Sequence, residues 1–292
     1  MLIVLFCLAL FAGISGDLLK KTVNLRFGSE PAIRYLFMTI AFAVGTIVLC
    51  LMGDIQLHGV STFTFVLAIV FGIFTAATTI THMLALNSGP YAYTAVIISL
   101  ATLIPTFSGA LFWNEQIFPI QFLGIFLMVL CFVMSVNPEE SKRTQTSKWM
   151  FYCLLTFFLN GTISVMQKWH QNTVYKGELA TFIMLAFASA TVFSFVVALR
   201  LMKKEHCTQL SSFKWIYLAL LAGIGFSLNN KICLYLSGAM DSAIYFPSFN
   251  VCALLLNTAS GVFIFREKLS KRQLAGIIIG ILSVLCLCNP FS

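Results

Sequence analysis

Polar side chains capable of chemistry are scarce inside the apolar stretches of this 292-residue chain, and where they occur they fall in groups. The run Phe226-Ser-Leu-Asn229-Asn230-Lys231 sets two amides and an ammonium side by side in an otherwise hydrophobic segment. An ammonium in such a place binds a polar ligand, pairs with a carboxylate or reaches for the interface. Lys20 and Lys168 come late in two other apolar segments, and His82 follows Thr78, Thr79 and Thr81 in a third. Tyr245, Ser248 and Asn250 surround Pro247, whose missing N–H frees a backbone carbonyl inside a helix. These types serve recognition of a small polar ligand by charge and hydrogen bonding. Asp17 is the one carboxylate well inside an apolar segment rather than at its edge, and the candidate for coupling to a proton.

Other chemistries lack their signatures. The chain has no GxxxxGKS loop to cradle a nucleotide, no HExxH and no paired acids within an apolar segment. Its nine cysteines follow no CxxC spacing, so we expect no metal and no cofactor. The net charge of +8 resides in short loops without interleaved aromatics, a pattern of membrane anchoring rather than nucleic-acid binding.

The elements that must position these residues are helices. Hydrophobic residues make up 59% of the chain and charged residues 10%, far below the roughly 25% charged of a soluble domain. Ten apolar segments, at 2–24, 32–52, 62–86, 91–113, 118–136, 149–171, 178–201, 213–236, 241–265 and 270–288, each approach the ~20 residues that cross a bilayer. The first lacks the positive flank of a signal peptide and reads as a retained helix. The longest polar link, PEESKRTQTSK at 138–148, separates residues 1–137 from 149–292.

These halves resemble each other. In order along the chain, Gly13 matches Gly161, Lys20 matches Lys168, Glu115 matches Glu267, Gln121 matches Gln273 and Gly124 matches Gly276. An odd number of helices per repeat makes the second repeat run opposite to the first. The expected fold is thus an all-α membrane protein of ten transmembrane helices in two inverted five-helix repeats. Lys and Arg crowd the odd-numbered links, whereas the even side carries only Lys168 and Lys176, which puts both termini outside.

Trp113-Asn-Glu115-Gln-Ile117 followed by Gly124, and Phe265-Arg-Glu267-Lys-Leu269 followed by Gly276, form a pattern that occurs twice. It resembles the EamA-like members of the drug/metabolite transporter superfamily, and the likeness extends over essentially the whole chain. The resemblance implies a ten-helix inverted repeat and secondary transport, for substrates as varied as amino acids, nucleotide sugars, choline and toxic cations. Family members have cytoplasmic termini, opposite to the charge bias here. Physically, Glu115 and Glu267 stand just past a helix end, where each can cap the N-terminus of the next helix. Gly276-Ile-Ile-Ile-Gly280 allows close helix approach, for internal packing or for a homodimer.

The expected function is alternating-access transport of a small metabolite, proton-coupled or by exchange, with no ATP as direct driver. The substrate-binding candidates are Lys231, Asn230, Asn229, His82, Tyr245, Asn250, Ser248, Lys20 and Lys168; Asp17 is the coupling candidate. Excess Lys and His over carboxylate favours an anionic or zwitterionic substrate. The partners are that substrate and a lipid bilayer, with the bacterial cytoplasmic membrane the expected location. The rival readings are a membrane sensor or structural subunit that transports nothing, and a membrane-embedded enzyme.

Overall fold

The computed structural model describes every residue except 28–30, 54, 56–58, 89–90, 136–146, 203–213, 266–269 and 289–292. The described residues form eleven α-helices and no strand. They are α1 (Leu2–Phe27), α2 (Pro31–Met52), α3 (Thr62–Ser88), α4 (Tyr91–Ser99), α5 (Leu103–Trp113), α6 (Pro119–Met134), α7 (Ser147–Gln171), α8 (Leu179–Met202), α9 (Lys214–Ala239), α10 (Ser242–Phe265) and α11 (Lys271–Leu287). The link at 138–148 lies outside the described residues except for Ser147 and Lys148, which open α7.

Eleven helices cover ten expected segments because the fourth is broken. A single 3₁₀ turn, Leu100–Thr102, separates α4 from α5. The cause is Pro105, which has no N–H to give the carbonyl of Ala101, so the backbone there tightens to a three-residue pattern.

Among the described residues, six helical stretches are long and apolar enough to cross a membrane: 35–52, 62–85, 96–113, 147–171, 174–200 and 215–239. Leu2–Gly16 and Pro119–Met134 are apolar but shorter. Of the ten crossings expected from sequence, these six are the ones that reach that length and hydropathy within the described residues. The 16 residues of α6 rise only ~24 Å, less than the ~30 Å hydrocarbon core.

The chain divides into two compact units, each drawing helices from both sequence halves. One comprises Met1–Ala77 and Trp169–Leu236, the other Thr78–Lys168 and Ser237–Ser292. The division falls within α3, α7 and α9.

Lipid offers no hydrophobic drive for helix association, so close contact depends on small residues. In the first unit α2 lies along α8: a Cβ on Gly45 would sit 2.6 Å from the Phe187 ring, which meets Phe42 edge-on at 5.6 Å. Gly72 of α3 approaches Ser189 and the Ala186 carbonyl of α8, and Gly223 of α9 approaches Ala41 of α2. In the second unit α6 lies along α11. A Cβ on Gly124 would come within 2.7 Å of Leu287, and one on Gly276 within 3.2 Å of Met134. The Ser283 hydroxyl donates to the Gly124 carbonyl at 2.8 Å, and Met128, Phe132 and Val251 fill the core beside it. Gly280 packs on Cys131, so the GxxxG of α11 serves contact with α6.

Both α6 and α11 start in the same way. Gln121 Oε1 accepts the Phe118 N–H at 3.0 Å, and Gln273 Oε1 accepts the Ser270 N–H at 2.9 Å. Each glutamine folds back over the start of its own helix.

Candidate polar site in the second unit

Helix α5 ends in a residue that suits the job. Asn114 adopts the left-handed conformation at φ 53°, which Asn tolerates better than other side chains with a Cβ. The N–H of Glu115 then turns back to the Gly109 carbonyl at 3.2 Å, and its side chain lies over Gly109. A Cβ on Gly109 would fall on Glu115 Oε2 and 2.6 Å from Ser242 Cβ, so only glycine fits beneath the carboxylate.

Two groups hold that carboxylate. Lys168 Nζ is 2.5 Å from Oε1, with the lysine side chain 3% and the glutamate 11% exposed. The N–H of Ser242, the first residue of α10, donates to Oε2 at 2.7 Å. Lys168 also donates to the Met240 carbonyl at 2.8 Å. The node thus joins the ends of α5 and α7 to the start of α10, with the positive end of a helix dipole added to the ammonium. Next to it the Ser242 hydroxyl is buried and makes no hydrogen bond. Sequence reasoning placed Glu115 on the N-terminus of the next helix; it instead caps α10, and Gln121 serves α6.

An apolar groove of about 630 Å³ runs between α5 and α7, lined by Leu103, Ile104, Phe107, Ser108, Thr162 and Val165 among others. Val165 is one helical turn before Lys168. Further along α10, Asn250 donates to Thr102 Oγ1 in the 3₁₀ break at 3.0 Å and to the Phe246 carbonyl at 2.9 Å. Ser248 is buried with its hydroxyl 3.5 Å from Cys288 Sγ, and Tyr245 packs on Phe246 and Phe249. His82 is half-buried on the part of α3 in this unit.

The remaining candidates lie in the first unit. Lys231 donates to the Met52 carbonyl, the last of α2, at 3.0 Å. Asn230 donates to the Phe226 carbonyl at 2.9 Å, and Asn229 Oδ1 accepts from Cys233 at 3.1 Å while facing Gly13. Asp17 and Lys20 belong to α1, but their side chains lie outside the described set, as does all of Glu267. The predicted site residues are therefore divided between units. Lys168 gains its charge partner from the repeated motif rather than from the other candidates.

The first unit holds a second polar cluster that the sequence reading did not single out. Glu178 Oε2 accepts from the Ser61 hydroxyl at 2.8 Å, and its carboxylate also receives the Ser61 N–H at 3.2 Å. Ser61 in turn accepts the Thr64 N–H at 3.1 Å and so caps α3. His170 is fully buried between Phe63 and Phe182, with Nδ1 facing the Gln171 amide at 3.0 Å and Nε2 facing Thr64 Oγ1 at 3.3 Å. The available signal was Ser61-x-x-Thr64, a cap pattern before an apolar run.

Fold and site together define a polytopic, all-helical membrane protein that keeps an ion pair inside its helical body. Residues 10–290 match the family of sugar transport proteins, and the chain belongs to that family. The family is of the drug/metabolite-transporter type, which is coarser than the EamA-like resemblance read from the sequence. An uncharacterized protein of Haemophilus influenzae is 22% identical over 189 residues, 64% of this chain. The match takes in 63% of that relative, less than two thirds of its length. A crystal structure of a protein superposes with a TM-score of 0.71 at 15% identity, covering 96% of this chain and 98% of the other, a likeness of fold.

Proposed function

We propose that the chain is a secondary transporter that carries a sugar or sugar-derived metabolite by alternating access of two inverted five-helix repeats. The observation that carries this reading is the sugar-transport match over residues 10–290, which takes in both sequence halves. The internal correspondences support the repeat. The paired helices α2 and α8 are the second and seventh expected segments, and α6 and α11 are the fifth and tenth, so equivalents pack together within each unit. Gln121 and Gln273 cap their helices alike, and Gly124 and Gly276 each admit a side chain from the partner helix. The twice-occurring Glu and Gly motif supports an EamA-like ancestry within the wider superfamily.

The polar node suits a sugar. A Lys and a Glu held together can each serve a hydroxyl, one as donor and one as acceptor. Movement is driven by a gradient, through proton coupling or exchange, in the bacterial cytoplasmic membrane. Asp17 remains the proton candidate, and His82, Tyr245, Ser248, Asn250, Lys20, Asn229, Asn230 and Lys231 remain candidates along the path.

The test is counterflow of radiolabelled sugars into proteoliposomes loaded with the same unlabelled sugar. Saturable entry without ATP, lost in Lys168→Gln, is expected. Absence of counterflow across a broad panel of sugars and other metabolites would turn the reading toward a membrane subunit that transports nothing.

A further inference from the structure

We infer that Lys168, the first turn of α10 and the Ser242 hydroxyl form an anion-binding site, filled in this conformation by Glu115, and that the transported sugar carries an acidic group. This rests on the transport reading above and names its substrate class.

Three donors converge at one point. Lys168 Nζ and the Ser242 N–H already hold the two oxygens of a carboxylate. The third, the Ser242 hydroxyl, is fully buried and without a partner. A Cβ on Gly109 would fall on Glu115 Oε2 and 2.8 Å from Ser242 Oγ, so the idle hydroxyl and the carboxylate share the space above Gly109. An N-terminal helix cap alone needs no buried lysine and leaves no buried donor idle. Helix dipole, ammonium and free hydroxyl together describe a cradle for an anion with more oxygens than Glu115 supplies.

Glu115 can leave. It is the residue after the left-handed Asn114, in a turn of five residues before α6, and not within a helix. An acidic sugar would replace it, its carboxylate or phosphate taking the Lys168 ammonium and the N–H of Ser242. Asp241, just before α10, is exposed and is not one of the groups holding Glu115.

Thermal unfolding of the purified full-length protein is the test, with glucose, glucuronate, glucose 6-phosphate and inorganic phosphate as probes on wild type, Glu115→Gln, Lys168→Gln and Ser242→Ala. The neutral amide competes poorly for the ammonium, so Glu115→Gln should bind the acidic sugars about tenfold more tightly than wild type. Lys168→Gln should lose that response, and Ser242→Ala should weaken the phosphate ester more than the carboxylate. If Glu115→Gln does not fold, inhibition of wild-type counterflow decides, with glucuronate or glucose 6-phosphate expected to outcompete glucose. Response to glucose alone overturns the anion site and leaves the transport reading intact. Equal shifts by inorganic phosphate and glucose 6-phosphate support the anion site and overturn the acidic sugar. Failure of every sugar, neutral or acidic, in both binding and counterflow removes the transport reading itself.

Discussion

Both units use a glutamate to cap a helix that begins far away in sequence, but they treat its charge differently. Among the described residues of the first unit, Glu178 receives neutral donors, the N–H and hydroxyl of Ser61 and the hydroxyl of Thr64, and the buried His170 beside it meets Thr64 and Gln171. In the second unit Glu115 meets a buried ammonium and a helix N-terminus, with an idle hydroxyl alongside. The first arrangement fastens α3 and would do so with any good acceptor. The second gathers opposite charges in a place where both are costly, the cost that the exchange of Glu115 proposed above would put to use. The two capping geometries are alike; the charge of the donors is what separates them.

The comparison breaks most sharply at Lys168. Lys168→Met leaves Glu115 buried without its cation, and should cost about 3–5 kcal/mol of stability and abolish uptake. The double variant Lys168→Met/Glu115→Gln should recover most of the stability and none of the uptake, as read by unfolding in detergent and counterflow in vesicles. Recovery of uptake would make the pair a structural brace equal in kind to Glu178. The next effect is at Gly109. An alanine there collides with Glu115 Oε2 and Ser242, so Gly109→Ala should cost about 1–3 kcal/mol and lower uptake at least tenfold. Gly177→Ala, in the 3₁₀ turn leading to Glu178, meets nothing within 4 Å and should leave both unchanged.

The helices were legible because a bilayer demands long apolar runs, and the boundaries of α2, α3 and α7 fall close to those read from composition. The break at Leu100–Thr102 was missed: Pro105 was visible, but its effect lies one turn upstream at the carbonyl it fails to serve. Lys168 was legible as a charge in an apolar segment. Its partner was not, because Glu115 is 53 residues before it and Ser242 is 127 residues beyond Glu115. The repeated motif flagged Glu115 correctly as a cap and assigned it the nearest helix, since sequence gives adjacency along the chain and not in space. Gly109 and Ser242 carry no signal at all; a glycine under a carboxylate is indistinguishable from one that aids packing.

Glu178→Gln sharpens the other side of the comparison. The amide retains one acceptor for Ser61, so the loss should be about 1 kcal/mol with uptake within about twofold of wild type. A larger fall in uptake with unchanged unfolding would show that the carboxylate of the first unit also acts in transport, and the contrast between units would fail.

Lys231→Gln is the smallest expected effect and the most instructive for reading such sequences. The run Asn229-Asn230-Lys231 was the strongest polar signal in the chain, yet its ammonium reaches the last carbonyl of α2, where a cation offsets the negative end of a helix. Glutamine can donate to the same carbonyl over a shorter reach, so about 0.3–1 kcal/mol of stability and little uptake should be lost. Lys231→Arg, which preserves the charge, should match wild type in both. Uptake lost in the glutamine variant and restored in the arginine one, at constant unfolding temperature, would return Lys231 to the substrate path and place a working cation in each unit.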